Sequence, residues 1–324
     1  MPYVYVPYPS PPPPPLSNAH AHWLPLYFFL ALLGAWALVM LAVFASFRCS
    51  CFWGSATERQ ALNKPPPQQR VHRQASGFGE VSWYGVNEHI EVDPVTRAEF
   101  VRKVYAILST QLIATVGVTV AVIYGAFYHG DPKYLTPWGA WILGPGYFLV
   151  FVILLLNLCT LCCLMGSKAH VPWNYLGLAL FTLLMSFQLG IICAMYYGAG
   201  MGEDLFLAFV LTSVTFLTLT LFTIVSKIDF SFLAPLLCVG IFIFMIWSLI
   251  LSIAFMFGGF SVGWQLGFVI FGMILFIGFI LFDTYMITTR LGVDDYILGA
   301  VELYLDMINL FLMILQCLTL TRDN

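Results

Sequence analysis

Three acidic residues fall inside long apolar runs: Asp283, Glu302 and Asp306. A carboxylate in hydrocarbon is expensive, so each one needs a function or a partner. No Lys or Arg lies deep in any apolar run to serve as that partner. Asp283 stands roughly two turns before the end of one predicted helix, and Asp306 roughly two turns into the next. The two are equidistant from the junction of Asp294 and Asp295 in the connecting loop. Antiparallel helices joined there hold both carboxylates at equal depth, about 10–12 Å in at about 1.5 Å per residue. Helix rotation, which the sequence does not fix, decides whether they meet. Two close carboxylates in a low dielectric cannot both ionise freely. They either share one proton or take a cation between them. Oxygen-only ligands suit Ca²⁺ rather than a soft transition metal. The pair reads as a proton-sensitive cation site, closed when protonated and able to bind or pass Ca²⁺ when deprotonated. The plainer alternative is that each Asp caps a kink or bonds a neighbouring hydroxyl.

Weaker polar signals surround this pair. Glu302, one turn before Asp306, is either a vestibule ligand or an interfacial residue. Asn309 lies three residues after Asp306 on the same helix face. Ser186 and Gln188 sit mid-span, where they either support a carboxylate or join helices. Thr212, Ser213, Thr215, Thr218, Thr220 and Thr223 do not share one face, so they read as hydroxyls bonded to their own backbone. His129 and His170 lie near loops and read as interfacial. The Leu158-Cys159-x-x-Cys162-Cys163 run has no His beside it and reads as small, buried, inert packing. None of the 8 cysteines falls in an expected external loop, so no disulfide framework is expected.

The elements that position these residues follow from composition. The 324-residue chain is 60% hydrophobic and 9% charged, with a mean hydropathy of +0.89. Soluble domains carry about 25% charged residues, so this is a multi-spanning membrane protein in contact with the lipid bilayer. A net charge of −3 without a basic run argues against a nucleic-acid partner. Backbone groups in lipid must be satisfied internally, which makes the spans helical. Residues 1–22 form a Tyr/Pro tail, either a stiff polyproline spacer or a ligand for a proline-binding module. Residues 23–47 are uncharged and lack the basic flank of a signal peptide, so they read as a true span. Cys49 and Cys51 follow it, as acylation targets or free thiols. Residues 48–96 are a flexible polar linker. A capping box, Thr96 to Glu99, predicts a helix start there. Spans are then expected near 101–128, 138–165, 172–198, 204–225, 231–257, 262–288 and 298–320. Positive charge marks cytosolic loops. Eleven of the 13 basic residues fall in the 48–103 stretch or in alternate loops after it; Lys133 and Arg322 are the exceptions. The linker is therefore cytosolic. The C-terminus lies on the far side if the last helix crosses fully, and its polar content leaves a re-entrant path open.

Several of these segments together resemble the transmembrane Bax inhibitor motif family, within it the Lifeguard-like branch. They are Phe100 to Leu112 (FVRKVYAILSTQL), Pro172-Trp-Asn-Tyr175, Phe181-Thr182, Ser186 to Gly190 and Leu221 to Ser231. Phe282-Asp283-Thr284 and Asp295-Tyr296 lead to Ala300 to Phe311 (AVELYLDMINLF), which is the most specific. The resemblance covers about 97–320, nearly all of the 97–324 unit. It implies an all-α bundle of seven transmembrane helices, with the 23–47 helix as an addition. It also implies a pH-sensitive Ca²⁺ leak from internal stores and a role in restraining cell death. The family's di-aspartyl sensor falls on Asp283 and Asp306. Some members pair these acids with an Arg in the second helix; 138–165 has no basic residue. Glu302 stands where an uncharged residue is often found.

The expected function is thus a calcium leak channel of the endoplasmic reticulum, Golgi or another endomembrane, with the plasma membrane as the other possibility. Calcium and protons are its ligands, and no cofactor or catalysis is expected. The alternative is a non-conducting scaffold that acts through apoptosis-regulating membrane proteins. An intramembrane aspartyl protease also needs two aspartates, but Asp283 follows Phe282 and Asp306 follows Leu305, without the Tyr-Asp and Gly-x-Gly-Asp settings such enzymes use. Helix count alone would also allow a receptor, which is weak evidence.

Overall fold

The computed structural model describes residues 94–166, 172–226, 228–256, 261–292 and 295–322. The tail, the 23–47 span, nearly all of the linker with Cys49 and Cys51, and His170 lie outside them. The described residues are helical, with one isolated bridge between Phe127 and Leu135. The helices are α1 (Pro94–Ala126), α2 (Pro137–Ile142), α3 (Leu149–Gly166), α4 (Trp173–Gly198), α5 (Gly202–Ser226), α6 (Leu233–Met256), α7 (Val262–Thr289) and α8 (Tyr296–Arg322).

Two expectations are corrected. The chain is already helical at Pro94, so Thr96 and Glu99 lie inside α1 and do not cap it. Proline suits a first turn because its missing N–H would have no partner there. The single span expected at 138–165 is broken in two. Thr136 Oγ1 accepts the Gly139 N–H at 2.9 Å and starts α2. Pro145 then opens a short 3-10 turn, Pro145–Phe148, before α3 begins. A proline inside a helix removes a hydrogen bond and clashes with the preceding turn, so the break falls there. At the other end of the α1–α2 connection, Gly130 turns the chain with φ +72°, which a glycine adopts freely. Among the described residues six helices are long and apolar enough to cross a membrane, and α3 is a shorter apolar one.

α4 and α8 are the most enclosed helices. α8 packs against α7, α5 and α1, while α4 packs against α1 and α3. Large apolar residues such as Leu217 and Leu221 on α5 and Leu236 and Ile246 on α6 face outward. An aqueous protein would not leave so much apolar surface bare, and lipid is its natural solvent. α8 is continuous to Arg322, whose Nη1 lies 2.8 Å from Asp204 Oδ2 at the start of α5. The last helix therefore runs the full height of the bundle, which removes the re-entrant alternative.

Opposite ends carry different ties. At one end the Arg97 guanidinium donates to the Leu291 carbonyl at 2.6 Å, with longer contacts to Thr289 and Ile287. These are the free carbonyls at the end of α7, where a cation is favoured. Lys103 sits over the Tyr296 ring at 3.7 Å, and the Tyr175 hydroxyl donates to that of Tyr296 at 3.1 Å. The starts of α1, α4 and α8 and the end of α7 thus share one basic end.

Candidate functional site

α7 and α8 pack along their lengths because small residues let them approach. A Cβ placed on Gly272 would stand 2.6 Å from Met313 Sδ and 2.8 Å from the Phe244 ring. That closeness, carried down the hairpin, brings Asp283 and Asp306 together. Their carboxyl groups lie within side-chain hydrogen-bonding reach of each other. A carboxylate has no proton to donate, so such a bond needs one proton held between the pair. Asp306 is 6% exposed, and its Oδ2 has no hydrogen-bond partner among the described residues. Asp283 is half-buried. Among the described residues no basic side chain acts on either carboxyl. Glu302 is half-buried and near enough to act on Asp306 electrostatically. Asn309 is buried on the same face of α8.

Ser186 and Gln188 take up helix-joining bonds elsewhere. Ser186 donates to Thr115 Oγ1 at 3.0 Å, and Thr115 meets the Tyr304 hydroxyl at 2.8 Å. Gln111 donates to Thr182 Oγ1 at 3.0 Å. Gln188 accepts from Asn157 at 3.1 Å. The first of these chains links α1, α4 and α8, and it ends at Tyr304, two residues from Asp306. Reading the sequence missed Thr115, Tyr304 and Asn157; Gln111 and Asn157, amides within apolar runs, were the signals available.

The hydroxyls of α5 divide. Thr212, Ser213 and Thr223 bond the carbonyls of Ala208, Phe209 and Leu219. Thr220 does not; its buried hydroxyl lies near those of Tyr105 and Thr284, and none of the three makes a well-formed hydrogen bond. Thr284 is fully buried next to Asp283 in sequence. The site thus has orphaned polar atoms on two sides, in a region where each unsatisfied group is costly.

At the basic end, Asp229 anchors the α5–α6 connection to α7. The Ser231 hydroxyl and backbone N–H, the latter at 2.8 Å, hold its carboxyl at a pKa of about 2, helped by the Tyr285 hydroxyl and the Arg290 guanidinium. Arg290 Nη2 is 3.8 Å from Asp229, and its Nε donates to the Tyr285 hydroxyl at 3.2 Å.

Two carboxylates offer too few oxygens for a resident Ca²⁺, which takes 6–8. Among the described residues no group of three or more His, Cys, Asp or Glu converges to hold a metal. The expectation that Cys159, Cys162 and Cys163 are buried is also corrected. All three are exposed, and Cys193 is buried. α3 packs chiefly on α4, which leaves its other face outside.

Residues 97–323 match the family model described as inhibitor of apoptosis-promoting Bax1. Protein LIFEGUARD 1 of Arabidopsis thaliana is 37% identical over 243 residues, 74% of this chain and 95% of that protein. Bax inhibitor 1 of Schizosaccharomyces pombe is 36% identical over 230 residues, 70% of this chain and 79% of that protein. Protein lifeguard 3 of Homo sapiens is 27% identical over 268 residues, 78% and 81% of the two chains. An apolar helical bundle with these relatives is a multi-pass integral membrane protein, and the chain belongs to the Bax inhibitor family, alongside its Lifeguard members.

Proposed function

We propose that the chain is a pH-sensitive calcium leak pathway of an internal membrane, with a cell-death-restraining role, gated by Asp283 and Asp306. The observation that carries this reading is the direct approach of two carboxyl groups inside the bundle, with no basic side chain among the described residues acting on them. With one proton shared, α7 and α8 are held together at that depth. Loss of the proton leaves two like charges in a low dielectric, and they repel. Separation of the helices then opens a path lined by carboxylate oxygens, the ligands Ca²⁺ prefers. Ca²⁺ is cargo in this scheme, held only in passing by an incomplete set of ligands. Glu302, between the pair and the basic end, is placed to gather cations. No catalytic step is assigned to the protein.

A scaffold acting through apoptosis-regulating membrane proteins is the second reading, favoured by the description attached to the family model. Purified full-length protein in Ca²⁺-loaded liposomes separates the two. The leak reading expects Ca²⁺ release that rises with protein density. Absence of release at every pH tested would leave the scaffold.

A further inference from the structure

Along α3, Asn157, Leu161 and Leu164 turn inward and are buried. Cys159, Cys162 and Cys163 turn outward with Leu155 and Leu156. Residues spaced by three and four share a helix face, so the three thiols form one stripe on apolar surface. They lie near the end of the helix at Gly166. At about 1.5 Å per residue, Cys163 is about 5 Å, Cys162 about 6 Å and Cys159 about 10 Å from that end.

That end is the basic one. A Cβ on Gly177 would stand 3.3 Å from Leu164 Cδ1, which puts the last turn of α3 beside the start of α4. Tyr175, in that same stretch of α4, bonds Tyr296 beneath Lys103. Basic ends face the cytosol, where acyl-coenzyme A is the acyl donor. The thiols are free, and no metal-binding group includes them among the described residues. Thiols on a membrane-facing helix at this depth are suited to reversible acylation.

We propose that Cys162 and Cys163, with Cys159 deeper on the same stripe, are S-acylated by a long-chain fatty acyl-coenzyme A. The cysteine sulfur, having released its proton, attacks the thioester carbonyl. A new S–C bond forms, the bond from that carbon to the coenzyme A sulfur breaks, and coenzyme A leaves as its thiol with a proton. No electron is gained or lost. The added chain lies against the apolar outer face of α3.

The test uses the full chain made in eukaryotic cells, with Cys49→Ser and Cys51→Ser in every arm so that those thiols cannot contribute. Hydroxylamine, which cleaves thioesters, should expose capturable thiols. Cys159→Ser/Cys162→Ser/Cys163→Ser should reduce that capture to background, and Cys193→Ser should leave it unchanged. Mass mapping of the 159–163 peptide should show the acyl group directly, without any α3 substitution. No hydroxylamine-dependent capture, capture that persists in the triple variant, or an unmodified 159–163 peptide would each overturn the proposal.

Discussion

Asp283 and Asp306 were legible as a pair because their spacing about one loop fixes a common depth, whatever the rotation. Rotation came from packing at Gly272, which no count of residues reveals. The Thr115–Ser186–Tyr304 chain was not legible, because hydroxyls are common in spans and its partners come from helices far apart in sequence. The α3 cysteines were misread for a related reason: an apolar helix at the edge of a bundle has the same composition as one at its centre. Two predictions belong to single side chains. Arg97→Ala removes a charged donor from the carbonyls at the end of α7 and should cost about 1–2 kcal/mol, read as a lower melting temperature in detergent. Arg97→Lys should recover part of it. Asp229 has a depressed pKa, so its contribution to stability is complete above its ordinary value of 3.8 and fades as pH falls toward about 2. The melting-temperature gap between wild type and Asp229→Asn should therefore be constant near neutrality and close in acid; a gap that widens in acid would contradict this assignment.

At the scale of elements, hydrophobic runs located α4 to α8 to within a few residues, since a span must be continuous and apolar. The run at 138–165 misled because Gly144-Pro145-Gly146 interrupts geometry without interrupting hydropathy. The approach of α7 to α8 is the element-level feature the site depends on. Gly272→Val forces Met313 and Phe244 aside and should destabilise the protein by about 1–3 kcal/mol, the usual cost of overpacking. Chemical or thermal unfolding in detergent measures it. A neutral result would mean that α7 and α8 are not held at this distance.

The described residues form a bundle built around α8, with a basic end tied by Arg97, Lys103 and Arg290 and a far end tied by Arg322 to Asp204. The charge bias anticipates one basic end, and the continuous α8 puts Arg322 at the other. A protease-cleavable tag after the last residue should be cut only when the non-cytosolic compartment is opened. The proposed leak belongs to this scale, because separation of α7 from α8 at the aspartates must open a path through the bundle. The most direct test is Ca²⁺ flux through the purified protein in liposomes, stepped in pH, for wild type, Asp283→Asn and Asp306→Asn. The account predicts wild-type flux that rises as pH rises, and flux in each variant that no longer follows pH. A pH profile identical in all three proteins would contradict it.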